Sequence, residues 1–108
     1  MSKKLAPVHP GEVLREEFLK PLNLTPYAVA GALRIPRTRI ERLAREETAV
    51  TADTALRLGK YFNTSAAFWM NMQAQYDLET AEDEIAPEID KISRFHAARS
   101  AYRGTNCI

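Results

Sequence analysis

Two prolines ten residues apart constrain this chain more than any other feature. In "TPYAVAGALRIPRTRIERL", Pro26 follows a threonine and Pro36 follows an isoleucine. Proline lacks the N–H that a helix interior needs, yet its fixed φ suits a first helical turn, and it disfavours helix at the residue before it. Thr25 can accept an otherwise unpaired N–H at the start of one helix, which then runs to about Arg34. Pro36 discourages helix at Ile35 and pre-sets a second helix over about residues 37–45. Two short helices joined by a very tight turn form a helix-turn-helix pattern.

The flanking segments read as further helices. "HPGEVLREEFLKPLNL" predicts a first helix over about residues 11–20, with an apolar stripe of Val13, Leu14, Phe18 and Leu22, His9 packing or capping at its start and Pro21 stopping it. Val29, Ala30 and Leu33 face inward in the second. Thr51 caps "ADTALRLGKYF", whose Ala55, Leu58, Gly59 and Phe62 share one face and whose terminating residue is Asn63. Ser65 caps a longer fifth helix, "AAFWMNMQAQYDLETAEDE", with Phe68, Trp69, Met72 and Tyr76 at helical spacing. Beyond Pro87, Ile89, Ile92 and Phe95 suggest a short sixth helix, and "RGTNCI" a frayed end. Nothing alternates with a period of two over strand length, so the expected class is all-α.

Charge is unevenly placed. The formal net charge is +1, but residues 1–60 carry eleven Lys and Arg against seven Asp and Glu, and residues 61–108 carry four against seven. Five arginines, Arg34, Arg37, Arg39, Arg42 and Arg45, crowd around the second and third helices with Glu41 alone opposing them. At 100° per residue from Arg37, Ile40, Leu43 and Ala44 occupy an arc near 240–340°, while Thr38, Arg42 and Arg45 lie almost opposite at about 80–140°. One side packs and the other presents donors. Arginine pairs in a forked manner with guanine O6 and N7, and threonine meets a base edge or a thymine methyl. Arg42 and Thr38 are therefore the expected base contacts; Arg37 and Arg39 reach bases or backbone; Arg34, Arg45 and Thr25 hold phosphates and set the register. A charged helix face is often merely solvated; the tight turn, the apolar thread and the arginines together favour DNA.

Other chemistry is scarce. His9 and His96 lack a partner at ligand spacing, so no metal is expected. With no phosphate loop, nucleophile elbow or cysteine–histidine pair, the chain is expected not to be an enzyme and to need no cofactor. At 108 residues it is long enough for one compact domain. No stretch approaches the roughly 20 apolar residues of a membrane span, and a single cysteine, Cys107, fits a reducing compartment, so a cytoplasmic location is expected. Trp69 and Met72, with Tyr76 on the same stripe, are expected at the seam of a twofold dimer, and Phe68 mainly in the core.

Three stretches carry a family resemblance: "TPYAVAGALRIPRTRIERL" resembles the Xre/Cro-type helix-turn-helix, and "PVHPGEVLREEFLKPLNLT" and "TADTALRLGKYFNTSAAFWMNMQAQYDLE" resemble the HigA-type antitoxins of bacterial toxin–antitoxin modules. The likeness covers residues 7 to about 80. It implies a compact five-helix, lambda-repressor-like DNA-binding domain over residues 1–80 with an extension over 81–108. It further implies a homodimer that binds a palindromic operator in its own promoter and neutralises a HigB-type toxin, a ribosome-dependent mRNA-cleaving ribonuclease. Three departures stand out: Pro26 replaces the usual glutamine, Arg34 the common glycine of the turn, and "AREE" the usual asparagine-glycine-lysine. A toxin that cleaves RNA should be basic, so the acidic run "DLETAEDEIAPEID" is a candidate surface for it. The alternatives are a stand-alone Xre-type regulator without a toxin partner and a protein-binding module that has lost operator binding.

Overall fold

Four side chains decide where four of the helices begin. His9 Nδ1 accepts from the Gly11 N–H at 2.8 Å, Thr25 Oγ1 from Ala28 at 3.0 Å, Thr51 Oγ1 from Thr54 at 3.3 Å and Ser65 Oγ from Phe68 at 3.0 Å. Each satisfies one of the N–H groups that a helix start leaves without a partner. The computed structural model describes residues 6–96. Its elements are α1 (Pro10–Val13), a π-helical continuation of it (Leu14–Leu19), α2 (Pro26–Leu33), α3 (Arg37–Ala44), α4 (Ala52–Phe62) and α5 (Ala66–Asp90), and no strand occurs among the described residues. The third helix has no side-chain cap and starts on the extended backbone of Pro36.

The same ending recurs four times. Asn23, Arg34, Glu46 and Asn63 take positive φ of 55°, 63°, 65° and 59°. After each, the next N–H reaches back five residues: Leu24 to Leu19, Ile35 to Ala30, Glu47 to Arg42 and Thr64 to Gly59. These are left-handed helix terminations, in which a non-glycine side chain costs about 1–2 kcal/mol, less for asparagine. Arg34 and Glu46 thus occupy the geometry that glycine adopts freely, one in the turn of the helix-turn-helix and the other just past its second helix.

The expected first helix is corrected in its winding. From Leu14 to Leu19 the backbone is π-helical, with Lys20 N–H bonded to the Arg15 carbonyl at 3.1 Å. The wider turn puts residues five apart on one face, so Leu14 and Leu19 are both buried, whereas Leu22 of the expected stripe is exposed. The core closes around Leu14, Val29, Ile40, Leu43, Leu58 and Trp69, with α4 against α5 and α2 against α3.

Gly11 lets α1 approach α3. A Cβ added there would overlap the Leu43 carbonyl and sit 3.1 Å from His9 Nδ1. Backbone cannot yield as a side-chain tip can, so Gly11→Ala is expected to cost about 1–3 kcal/mol, and calorimetry should show the melting temperature falling by at least roughly 4 °C.

A second correction concerns Pro87. The sequence suggests a new helix beyond it; instead α5 runs through Pro87 to Asp90, and Ile92–His96 are not helical. Proline's φ is itself helical, and where α5 is exposed on every side its own preceding turn can yield to the ring without displacing a packed neighbour. The extension expected from residue 81 therefore begins as a continuation of α5. The remainder of the suggested sixth helix, the frayed end and Cys107 lie outside the described residues.

Candidate nucleic-acid interface

The third helix is held at its C-terminal end by groups from the rest of the domain. Arg15 donates through Nη1 to the Ala44 carbonyl, and its Nη2 lies 3.1 Å from Glu46. A cation is favourable there, because the last carbonyls of a helix carry partial negative charge. Gln73, buried on α5, accepts from the Val50 N–H at 2.8 Å and donates to Asp77 at 2.9 Å. His9 lies beside the Thr48 backbone and meets the Tyr76 ring edge-on at 4.7 Å. The loop from Arg45 to Val50 is thereby tied to α1 and α5, and the orientation of α3 with it.

Burial pushes the His9 pKa down from its ordinary 6.5, against the opposing pull of Glu46, Asp77 and the Thr48 backbone. A histidine whose folded pKa is lowered stabilises the fold fully above its unfolded pKa, and that contribution is lost as pH falls from about 6.5 through the lowered value. Protonation at Nδ1 would also remove the acceptor that caps α1. The melting temperature is expected to fall as pH drops below about 6.5, and to fall less in His9→Gln, by calorimetry in matched buffers.

On α3, Ile40, Leu43 and Ala44 are buried, and Arg37, Thr38, Arg39, Arg42 and Arg45 are exposed, as are Thr25 and Arg34. The arginines are not equivalent. Arg37 pairs with Glu41 at 3.2 Å and lies 6.0 Å from the Tyr27 ring centroid; Arg45 pairs with Glu47 at 2.9 Å. Arg39 is bound to Asp53, which also accepts from Arg57 Nε at 3.0 Å. The guanidinium groups of Arg57 and then Arg39 hold the Asp53 carboxyl below its ordinary pKa. Arg34 and Arg42 form no ion pair among the described residues.

Two clefts run beside the exposed ridge of α3. One, of about 560 Å³, is lined by Thr38, Arg39 and Arg42 on α3, Thr48 and Thr51 of the following loop, and Arg57. The other, of about 580 Å³, brings Arg45 and Glu41 together with Arg15, Lys20 and Pro26. Arg34 sits apart from both, beside Leu56, Lys60 and Tyr61. The expected residues on α3 are thus distributed over a ridge and its two flanks, with Arg34 outside them. Sequence reasoning missed Arg57, which also donates to the Leu33 carbonyl at 2.8 Å and so binds the end of α2 to α4. Its signal was the four-residue spacing from Asp53. Thr25 spends its oxygen lone pair on the cap of α2 and keeps its hydroxyl proton for a neighbour.

Of the residues expected at the dimer seam, Trp69 lies in the core instead. Trp69 has no exposed surface; its Nε1 donates to Thr64 Oγ1 at 2.9 Å and its ring lies 5.3 Å from that of Phe18. Met72 packs on the same core and Tyr76 on His9. The stripe 69, 72, 76 is the face of α5 turned toward its own domain, and Phe68, expected in the core, is 39% exposed. A tryptophan is apolar enough for either place, and spacing alone does not say which side of a helix meets a second chain. Among the described residues, no cluster of three His, Cys, Asp or Glu is placed to hold a metal, and no helix is long and apolar enough to cross a membrane.

No protein-family model matches the chain. It is 52% identical over 77 residues to virulence-associated protein I of Dichelobacter nodosus, covering 71% of each chain. To antitoxin HigA-1 of Vibrio cholerae it is 35% identical over 75 residues, covering 69% of this chain and 70% of that one. Among solved structures, the Pseudomonas aeruginosa antitoxin HigA with the higBA promoter is 43% identical and superposes with a TM-score of 0.78, over 82% of this chain and 96% of that one.

Proposed function

The chain belongs to the HigA-type antitoxins of the Xre helix-turn-helix family, and from that premise we propose that it binds an operator in its own promoter as a homodimer, represses its operon and neutralises a HigB-type mRNA-cleaving toxin by binding it. The observation that carries the DNA reading is Arg42, exposed beside Thr38 on the outer ridge of α3 and outside every ion pair among the described residues. A ridge with a basic cleft on each side matches a major groove with its two phosphate walls. Thr38 and Arg42 then meet base edges, Arg37 and Arg39 bases or backbone, and Thr25, Arg34 and Arg45 phosphates. Arg57, Thr48 and Thr51 extend the phosphate contacts along the cleft that Thr38, Arg39 and Arg42 line. Gel shifts on the chain's own upstream region test this: affinity should fall steeply between about 50 and 200 mM salt, because each neutralised phosphate releases counterions. Equal retention of unrelated DNA would remove the repressor reading.

For the homodimer, the support comes from Leu56 and Tyr61, 64% and 42% exposed, which flank an apolar cleft of about 340 Å³ with Ala32 and Lys60; Arg34 lines the same cleft, so it meets phosphate from the edge of this surface. We assign the seam to this α2–α4 surface. Leu56→Glu is expected to yield monomers in sedimentation at micromolar protein and at least a tenfold weaker operator complex, since burying a charge in an apolar seam opposes association. Growth rescue of cells expressing a ribonuclease encoded beside this gene separates the antitoxin from a regulator without a toxin.

A further inference from the structure

The outer half of α5 has left the core. The buried residues of this 25-residue helix are Trp69 and Gln73, near its start, and every residue from 81 to 90 is exposed. Leu78, Ile85 and Ile89 are 61%, 42% and 50% exposed. At 100° per residue they fall within an arc of about 40°. Glu79, Glu82, Asp83 and Asp90 lie on one side of this stripe, and Asp77, Glu84 and Glu88 on the other. No lysine or arginine occurs from residue 61 to residue 90. The helix is therefore an apolar ridge between two acidic margins.

Its electrostatics narrow the occupant. Carboxylates near the C-terminal end of a helix oppose the macrodipole, and a second copy laid on the ridge would bring two acidic margins together. A positively charged surface removes both penalties and can cover the apolar stripe at the same time. We propose that Leu78, Ile85 and Ile89, with the carboxylates that flank them, form the docking surface for a basic protein. The proposal rests on the antitoxin reading, under which that protein is the toxin: a ribonuclease that grips mRNA must present positive charge. Toxin and operator would then occupy opposite charge poles of one chain, the acidic α5 arm and the basic α3 face.

The test is calorimetric titration of the full chain with the ribonuclease encoded beside it, for the wild type, for Ile85→Ser with Ile89→Ser, and for Glu82→Lys with Glu84→Lys and Glu88→Lys. Because this part of α5 makes no core contact, both variants should keep the wild-type melting temperature, and the serine variant the wild-type operator affinity. Each is expected to bind toxin about 30-fold or more weakly, and wild-type affinity should drop as salt rises. Binding of toxin within about twofold of wild type by both variants overturns the docking surface and leaves the antitoxin reading intact. Absence of binding by the wild type itself overturns that reading, and the proposal with it.

Discussion

Alanine at Arg42 is expected to weaken binding to the chain's own operator by about 10- to 100-fold at fixed salt, the range for losing a forked contact to one base. The variant should melt as the wild type does, because Arg42 is exposed and forms no ion pair among the described residues. Arg42→Lys should not restore the loss, since an ammonium cannot make two parallel bonds to O6 and N7. The comparison with its neighbours is what gives the experiment its force. Arg39 is already bound to Asp53, so its removal also frees a carboxylate beside the cleft and costs a different sum. Arg34→Ala should weaken all DNA sequences alike and lower the salt slope by about one, the behaviour of a phosphate contact. Gel shifts of the three variants on operator and scrambled DNA, each across salt, separate these cases. Arg42→Ala retained within twofold, with its fold intact, would remove α3 as the reader.

The local signals in the sequence carried far because they were chemical. Thr25, Thr51 and Ser65 announce helix starts with an oxygen, Pro36 forces the turn, and the apolar residues of α2, α3 and α4 repeat at helical spacing. Asn63 announced the end of α4 for the same reason, since asparagine tolerates left-handed backbone. Arg34 and Glu46 carry no such mark: neither residue type favours left-handed backbone, which they adopt where Ile35 packs on the core and where Arg15 meets Glu46. The π-helical stretch was equally hidden, because Leu14, Phe18 and Leu19 satisfy an α-helical stripe almost as well. At the candidate site the outward set on α3 followed from angle alone. What angle could not supply was which arginines are engaged elsewhere. That depends on Asp53 and Arg57, which sit on another helix and meet Arg39 only in the folded chain.

Trp69→Ala is the substitution expected to damage the fold most. The indole has no exposed surface, lies beside Phe18 and Phe68, and donates to Thr64 at 2.9 Å, so its removal leaves a large cavity and strips a partner from the hydroxyl that follows α4. Losses of about 3–5 kcal/mol accompany such truncations, a large share of the roughly 5–15 kcal/mol that holds a domain together. At about 4–8 °C per kcal/mol, the melting temperature should drop by at least roughly 12 °C. Protein concentration decides where the residue acts. A tryptophan at a dimer seam would leave the folded subunit intact and make the loss recede as concentration rises. A tryptophan in the core destabilises every copy equally, so the deficit measured by calorimetry should stay constant across a hundredfold range of protein. Phe68→Ala supplies the control one residue away: the residue is 39% exposed and its ring meets that of Trp69 edge-on, so a smaller loss is expected. If Phe68 proves the costlier of the two, the rotation of α5 about its axis is wrong, and with it the side on which Leu78, Ile85 and Ile89 emerge.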